Sequence, residues 1–252
     1  MSLRRRVSLA LLFAGVFFIS LLALAPSSLI GHMLERASGG QLMLARTQGS
    51  LWQGSGILLF KHTGGVRSLG AYRWKMQPWQ AAMQLQAGAY EPMTLRLRPL
   101  LARLDVDHLR LDLPAALLEV AAPQLHPYRL QGALQAKADH LQLDARGMLG
   151  QVTIDWLHAA SGLSPIAPLG DYRIVLTGDG QKLEASLSTQ SGKLRLQARG
   201  HLDPAKGAQI SGTAQAAAGA EDELNELLHY IGPETQPGIY TLALMPQSAA
   251  LP

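Results

Sequence analysis

The chain has 252 residues, 48% hydrophobic and 16% charged, with 22 Lys+Arg against 18 Asp+Glu and a formal charge of +4. Three of those 22 are Arg4, Arg5 and Arg6; the remaining 19 face 18, so the body lacks the concentrated basic surface that nucleic-acid binding needs. Cysteine is absent, which excludes disulfides, thiolate metal ligands and a cysteine nucleophile.

The basic triplet precedes an uncharged run, Val7 to Leu24. At a helical rise of about 1.5 Å per residue, such a run matches the hydrocarbon thickness of a bilayer. This predicts a cytoplasmic basic tail over 1–6 and a transmembrane signal-anchor helix over 7–25, oriented by Arg4, Arg5 and Arg6. Ala23-Leu24-Ala25 would also suit a cleavage site, so a cleaved signal peptide is the competing reading, although the run is long for one. Both readings put the rest of the chain outside the cytoplasm. The anchored one gives a single-pass inner-membrane protein with a periplasmic body. Over 26–40, Leu29, Ile30, Met33, Leu34 and Ala37 fall at helical spacing before Gly39-Gly40, which predicts a short juxtamembrane helix with a core-packing stripe.

Strand signals then dominate. Gly49-Ser50-Leu51-Trp52-Gln53-Gly54 sets a large aromatic between two glycines. It reads as a tight turn feeding a strand, with Trp52 buried as a packing residue. Tyr72, Trp74 and Met76 alternate with Arg73, Lys75 and Gln77, as in a half-buried strand. Between Arg103 and Leu113 the alternation slips phase, since Leu104 and Val106 are even-numbered but Leu109, Leu111 and Leu113 are odd. An extra residue near Asp107-His108 would restore one apolar face, which predicts a β-bulge there. Leu194, Leu196 and Ala198 alternate with Lys193, Arg195 and Gln197. Gly178-Asp179-Gly180 reads as a hairpin turn. Near 220–231, Leu224, Leu227, Leu228 and Ile231 share a helical face, acidic residues lead it and Gly232-Pro233 stops it.

Leu69-Gly70-Ala71-Tyr72 is echoed by Leu169-Gly170-Asp171-Tyr172 at an offset of 100. The echo suggests two related β-modules in tandem, over 41–127 and 128–252. The expected fold is thus mainly β with a few short helices: one transmembrane helix followed by a periplasmic antiparallel β-rich domain. No nucleophile elbow, H-E-x-x-H, Walker A or dinucleotide motif occurs. Asp107-His108 and Asp139-His140 are poor dyads, because strand neighbours point to opposite faces. No enzyme, metal or cofactor is expected.

The chain resembles protein N of the bacterial type II (general) secretion pathway. The resemblance rests on the N-terminal anchor, on Gln48 to Gly54 with Gly49, Leu51, Trp52 and Gly54, on Tyr72-Arg73-Trp74 with Pro78-Trp79, on Gly170 and Tyr172, and on the Glu223 to Leu228 helix. It implies an accessory component of the inner-membrane platform that helps export folded proteins across the outer membrane. Other platform components would be its partners, with the secretin or pseudopilus as further candidates, and the bilayer through one helix. It carries no catalytic residues. The alternative from the residues themselves is an anchored periplasmic protein that holds or transports lipid in a curved β-sheet groove.

Overall fold

The computed structural model describes residues 24–62, 65–118, 123–203 and 207–244. The chain forms two compact units, Met1–Pro92 and Met93–Pro252. Both are antiparallel β-structures, and two α-helices are defined among the described residues.

In the first unit, α1 (Ser28–Ala37) precedes β1 (Leu42–Gly49), β2 (Gln53–His62), β3 (Gly65–Gln77) and β4 (Ala82–Ala87), each strand paired with the next in sequence. The first half of β3 is mostly exposed, and its alternation takes hold where Tyr72 and Trp74 turn inward. Helix α1 lies on β1 but buries none of its own residues, so its apolar stripe is not the core element its spacing predicts.

In the second unit the strands are β5 (Met93–Arg98), β6 (Arg103–Pro114), β7 (Leu130–Leu143), β8 (Met148–Ser161), β9 (Gly170–Asp179), β10 (Leu183–Gly192), β11 (Leu194–Asp203) and β12 (Gly207–Ala216). Each pairs with the next in sequence. Helix α2 (Glu221–Ile231) follows, then β13 (Glu234–Gln236) and β14 (Ile239–Leu244), with β14 between β12 and β13. The phase slip in β6 occurs at His108, whose φ of 58° is left-handed. Leu104, Val106 and Leu109 consequently reach one cluster. The ladder to β7 keeps its register, so no extra residue is inserted and the expected β-bulge is not formed; the left-handed His108 changes the phase of β6 instead, and β7 slips phase at the same place, burying Ala136 and Ala138 and then Leu141. Between β9 and β10, the Asp179 carboxylate accepts hydrogen bonds from the Gln181 and Lys182 N–H groups, at 2.8 and 2.7 Å, and so holds the turn.

The single-pass topology is corrected. No helix among the described residues is long and apolar enough to cross a membrane; α1 and α2 have 10 and 11 residues, against the roughly 20 a spanning helix needs. Residues 1–23, with Arg4, Arg5 and Arg6 and most of the expected anchor, lie outside the described residues. Leu24 and Ala25 are not helical, and Pro26 already bridges to Ser50 at the mouth of the sheet. The transmembrane assignment, the bilayer as a partner, and the inner-membrane location with a cytoplasmic N-terminus all rested on that anchor, and no helix among the described residues supports them.

Candidate functional site

The glycine-rich motif closes the turn between β1 and β2. Gly49 has φ 90°, and a Cβ there would sit 2.9 Å from the Gly54 Cα. The Ser50 N–H donates to the Gln53 carbonyl at 2.9 Å. Register then pairs Gly54 with Trp74 and Gly56 with Tyr72. The Trp74 indole lies across Gly54, where a Cβ would stand 2.5 Å from its ring, and its Nε1–H reaches the Ser50 and Leu51 carbonyls at 3.3 and 3.2 Å. Thus the glycines make room for Trp74, which is 4% exposed. Trp52, expected to be the buried ring, is only half-buried; its carbonyl accepts the Met76 N–H at 2.6 Å. Leu51 is half-buried beside it.

The remaining motif residues divide. Tyr72 is buried, while Trp79 is 79% exposed on the Pro78–Gln80 3-10 turn between β3 and β4. A turn of the same construction, Pro99–Leu101, joins β5 to β6. Each starts with proline and ends on a left-handed alanine, Ala81 or Ala102. Its second residue, Leu100, is fully exposed. The sequence holds this repeat as Pro78-Trp79-Gln80-Ala81 and Pro99-Leu100-Leu101-Ala102, a signal that pattern reading aimed at strands passed over.

In the second unit the tyrosine of the Leu-Gly-x-Tyr echo takes the corresponding partner, while its glycine does not: Gly70 pairs with Leu58 and Gly170 with Ala159, across a register shift. Trp156 faces Tyr172, as Gly56 faces Tyr72. The Trp156 and Tyr172 rings are 5.6 Å apart. The Tyr172 hydroxyl donates to the Leu194 carbonyl at 2.9 Å, and burial pushes its phenol well above its ordinary pKa, with the Asp171 charge adding to the effect. Gly170 is buried beneath this ring; a Cβ there would stand 3.2 Å from the hydroxyl.

Strand alternation sends the apolar residues of β9 to β12 and β14 to one face. Ile174, Leu187, Ala198, Gly212 and Leu242 are cross-strand partners in one continuous row. Helix α2 covers part of this face. Leu224, Leu227 and Leu228 are buried against Leu194, Ala214, Ala216 and Tyr240. Beside this core, between the row and the helix residues Leu227 and Ile231, a cavity of about 260 Å³ remains. None of its lining residues is charged.

The opposite character belongs to the charged ladder. Asp155 accepts from Arg173 Nε at 2.7 Å and from Lys137 Nζ at 3.4 Å. The Arg173 hydrogen bond leads in holding its carboxyl below the ordinary range, overcoming burial, and Lys137 adds to it. Burial pushes the Asp105 carboxyl up, but Arg98 and Arg103 outweigh it and hold that group low. Arg103 Nε lies 2.8 Å from Asp105 Oδ1, close enough for an ion pair but misaligned for a hydrogen bond. His140 pairs across strands with Asp107 at 2.6 Å rather than with its neighbour Asp139, and its second ring nitrogen meets Gln142 at 3.0 Å. Both ring nitrogens are therefore occupied, which suits a structural link. Among the described residues, no group of three or more His, Cys, Asp or Glu could hold a metal.

The Asp155 cluster gives a pH prediction. A carboxyl that ionises more readily folded than unfolded contributes stability that is complete above its unfolded pKa of about 3.9. That contribution is lost as pH falls below this value through the folded one. Asp155→Asn is expected to flatten the acid limb of a stability–pH curve below about pH 4. An acid limb as steep as the wild type's would contradict it.

Comparison with curated proteins and with solved structures finds no match. The family described as type II secretion system (T2SS), protein N, matches residues 40–243, from the glycines after α1 to within the last strand. Its members are non-catalytic accessory proteins. The match spans well over half of the chain and includes both the Gly49–Gly54 turn and α2, so this protein belongs to the type II secretion system protein N family.

Proposed function

We propose that the protein serves type II secretion as an assembly component, contacting other parts of the apparatus through exposed side chains on its hairpin tips. The family assignment supports the general role. The observation that carries the mode of action is the repeated turn that holds Trp79 and Leu100 out in solvent. A large apolar side chain costs free energy in water and is a common anchor at protein interfaces. Its support here is a proline-started 3-10 turn closed by a backbone hydrogen bond, Ala81 N–H to the Pro78 carbonyl and Ala102 N–H to the Pro99 carbonyl, and a side chain held in place beforehand lowers the ordering cost of association.

The test is secretion in cells. Deletion of the gene is expected to leave exoproteins in the periplasm with an intact outer membrane. Complementation with Trp79→Ala or Leu100→Ala should restore folded protein but not full export, because exposed substitutions shift stability by only about 0.5 kcal/mol or less. Full export with both substitutions combined would refute the hairpin-tip reading. Normal export in the deletion strain would count against the role itself.

We also infer that 41–127 and 128–252 are related modules; the matching pairing of the two echo tyrosines, Tyr72 with Gly56 and Tyr172 with Trp156, supports this. A second functional reading, in which the protein holds lipid, is favoured by one observation, the uncharged cavity beneath α2.

A further inference from the structure

We infer that the cavity between α2 and the sheet of the second unit is a binding site for a single acyl chain. The inference rests on the lipid-holding reading and names its site. Three observations carry it.

The first is chemical. Three polar side-chain groups around the cavity are already engaged: the Tyr172 hydroxyl with Leu194 O, the Trp156 Nε1–H with Gln131 O, and the Ser161 hydroxyl with Tyr128 O; the hydroxyls of Tyr128 and Ser186 are the other polar side-chain groups of a lining that is otherwise Leu, Ile and Ala. With no charge in the lining, nothing there would pair with a charged ligand. The occupant is therefore hydrocarbon.

The second is size. At about 260 Å³ the space is well above the apolar cavity of about 150 Å³ that stays dry and accepts benzene.

The third is shape. Ile174, Leu187, Ala198 and Leu242 line the cavity in one row that crosses five strands, with Gly212 at the remaining position. At about 4.8 Å between strands, that row is roughly 19 Å long. An elongated floor roofed by Leu227 and Ile231 fits a linear chain rather than a compact ring system. The headgroup would remain outside, where its identity is not read.

Trp156 lines the cavity and serves as the reporter. Bromine quenches tryptophan emission only at contact, so the full chain would be titrated with dibromostearate and, separately, with vesicles of dibrominated phosphatidylcholine. Saturable quenching is expected, and it should disappear in Trp156→Phe. Ala198→Leu, which fills the floor, should weaken binding about tenfold or more. If Ala198→Leu fails to fold by circular dichroism, Ile231→Phe narrows the cavity from the helix instead. Quenching by the free acid alone identifies a released fatty acid as the source; quenching by vesicles as well identifies the chain of an intact phospholipid. Native mass spectrometry of protein purified without detergent separates the two levels of failure. Bound lipid without Trp156-dependent quenching overturns this site and leaves the lipid reading standing. No bound lipid and no quenching overturns both.

Discussion

Trp74→Ala is expected to destabilise the protein by about 3–5 kcal/mol, the range for removing a large buried aromatic. Three features of the ring support the upper half of that range. It is 4% exposed, it donates to the Ser50 and Leu51 carbonyls, and it covers Gly54 so closely that neither partner has an alternative neighbour of the right shape. Removing it leaves a cavity that Gly54, without a side chain, cannot fill. The three tryptophans of the first unit should therefore rank by burial. Trp74→Ala should cost most, half-buried Trp52→Ala less, and Trp79→Ala within about 0.5 kcal/mol of nothing. Gly54→Ala should resemble Trp74→Ala in direction, since its Cβ would stand 2.5 Å from the indole. Urea melts of the three alanine variants check the order. A Trp79→Ala variant as unstable as Trp74→Ala would overturn this account of the motif.

That ranking also marks what could be read in the chain itself. Alternation along one strand is a local signal, so Tyr72 with Trp74 and Leu194 with Ala198 were legible as inward-facing pairs. The slip at Asp107-His108 was legible for the same reason, because a change of phase is visible within ten residues. Helix α2 was legible from its acidic start, its apolar face and Gly232-Pro233. What the motif glycines accommodate was not legible. The spacing pointed to Trp52 between them, whereas register brings Trp74 onto Gly54 from a strand twenty residues away. The cross-strand pair of His140 with Asp107 and the row that floors the cavity are non-local in the same way. Apolar runs mislead for a different reason. Hydrophobicity states that a segment leaves water, not what it enters; α1 carries an apolar stripe and still buries nothing. The transmembrane expectation rested on that kind of signal.

Leu224→Ala is expected to cost about 2–5 kcal/mol and to loosen α2 from the sheet. Leu224 has no exposed surface and stands in the cluster that joins the helix to Leu194, Ala214 and Tyr240. Isolated helices of this length are marginal in water, so α2 depends on that contact more than on its own propensity. Its other supports are weaker. Glu221, Asp222 and Glu223 meet the positive end of the helix, but no side chain caps it. The Lys193–Glu223 pair, at 2.9 Å, is half exposed on both sides, and such pairs contribute at most about 1 kcal/mol. Glu223→Ala should therefore shift a thermal melt only slightly, while Leu224→Ala lowers it strongly. Because the same helix roofs the cavity through Leu227 and Ile231, Leu224→Ala should also weaken acyl-chain quenching of Trp156. Equal effects of the two substitutions on the melt would mean that the helix is held by its charges, and that the apolar contact beneath it is not what closes the site.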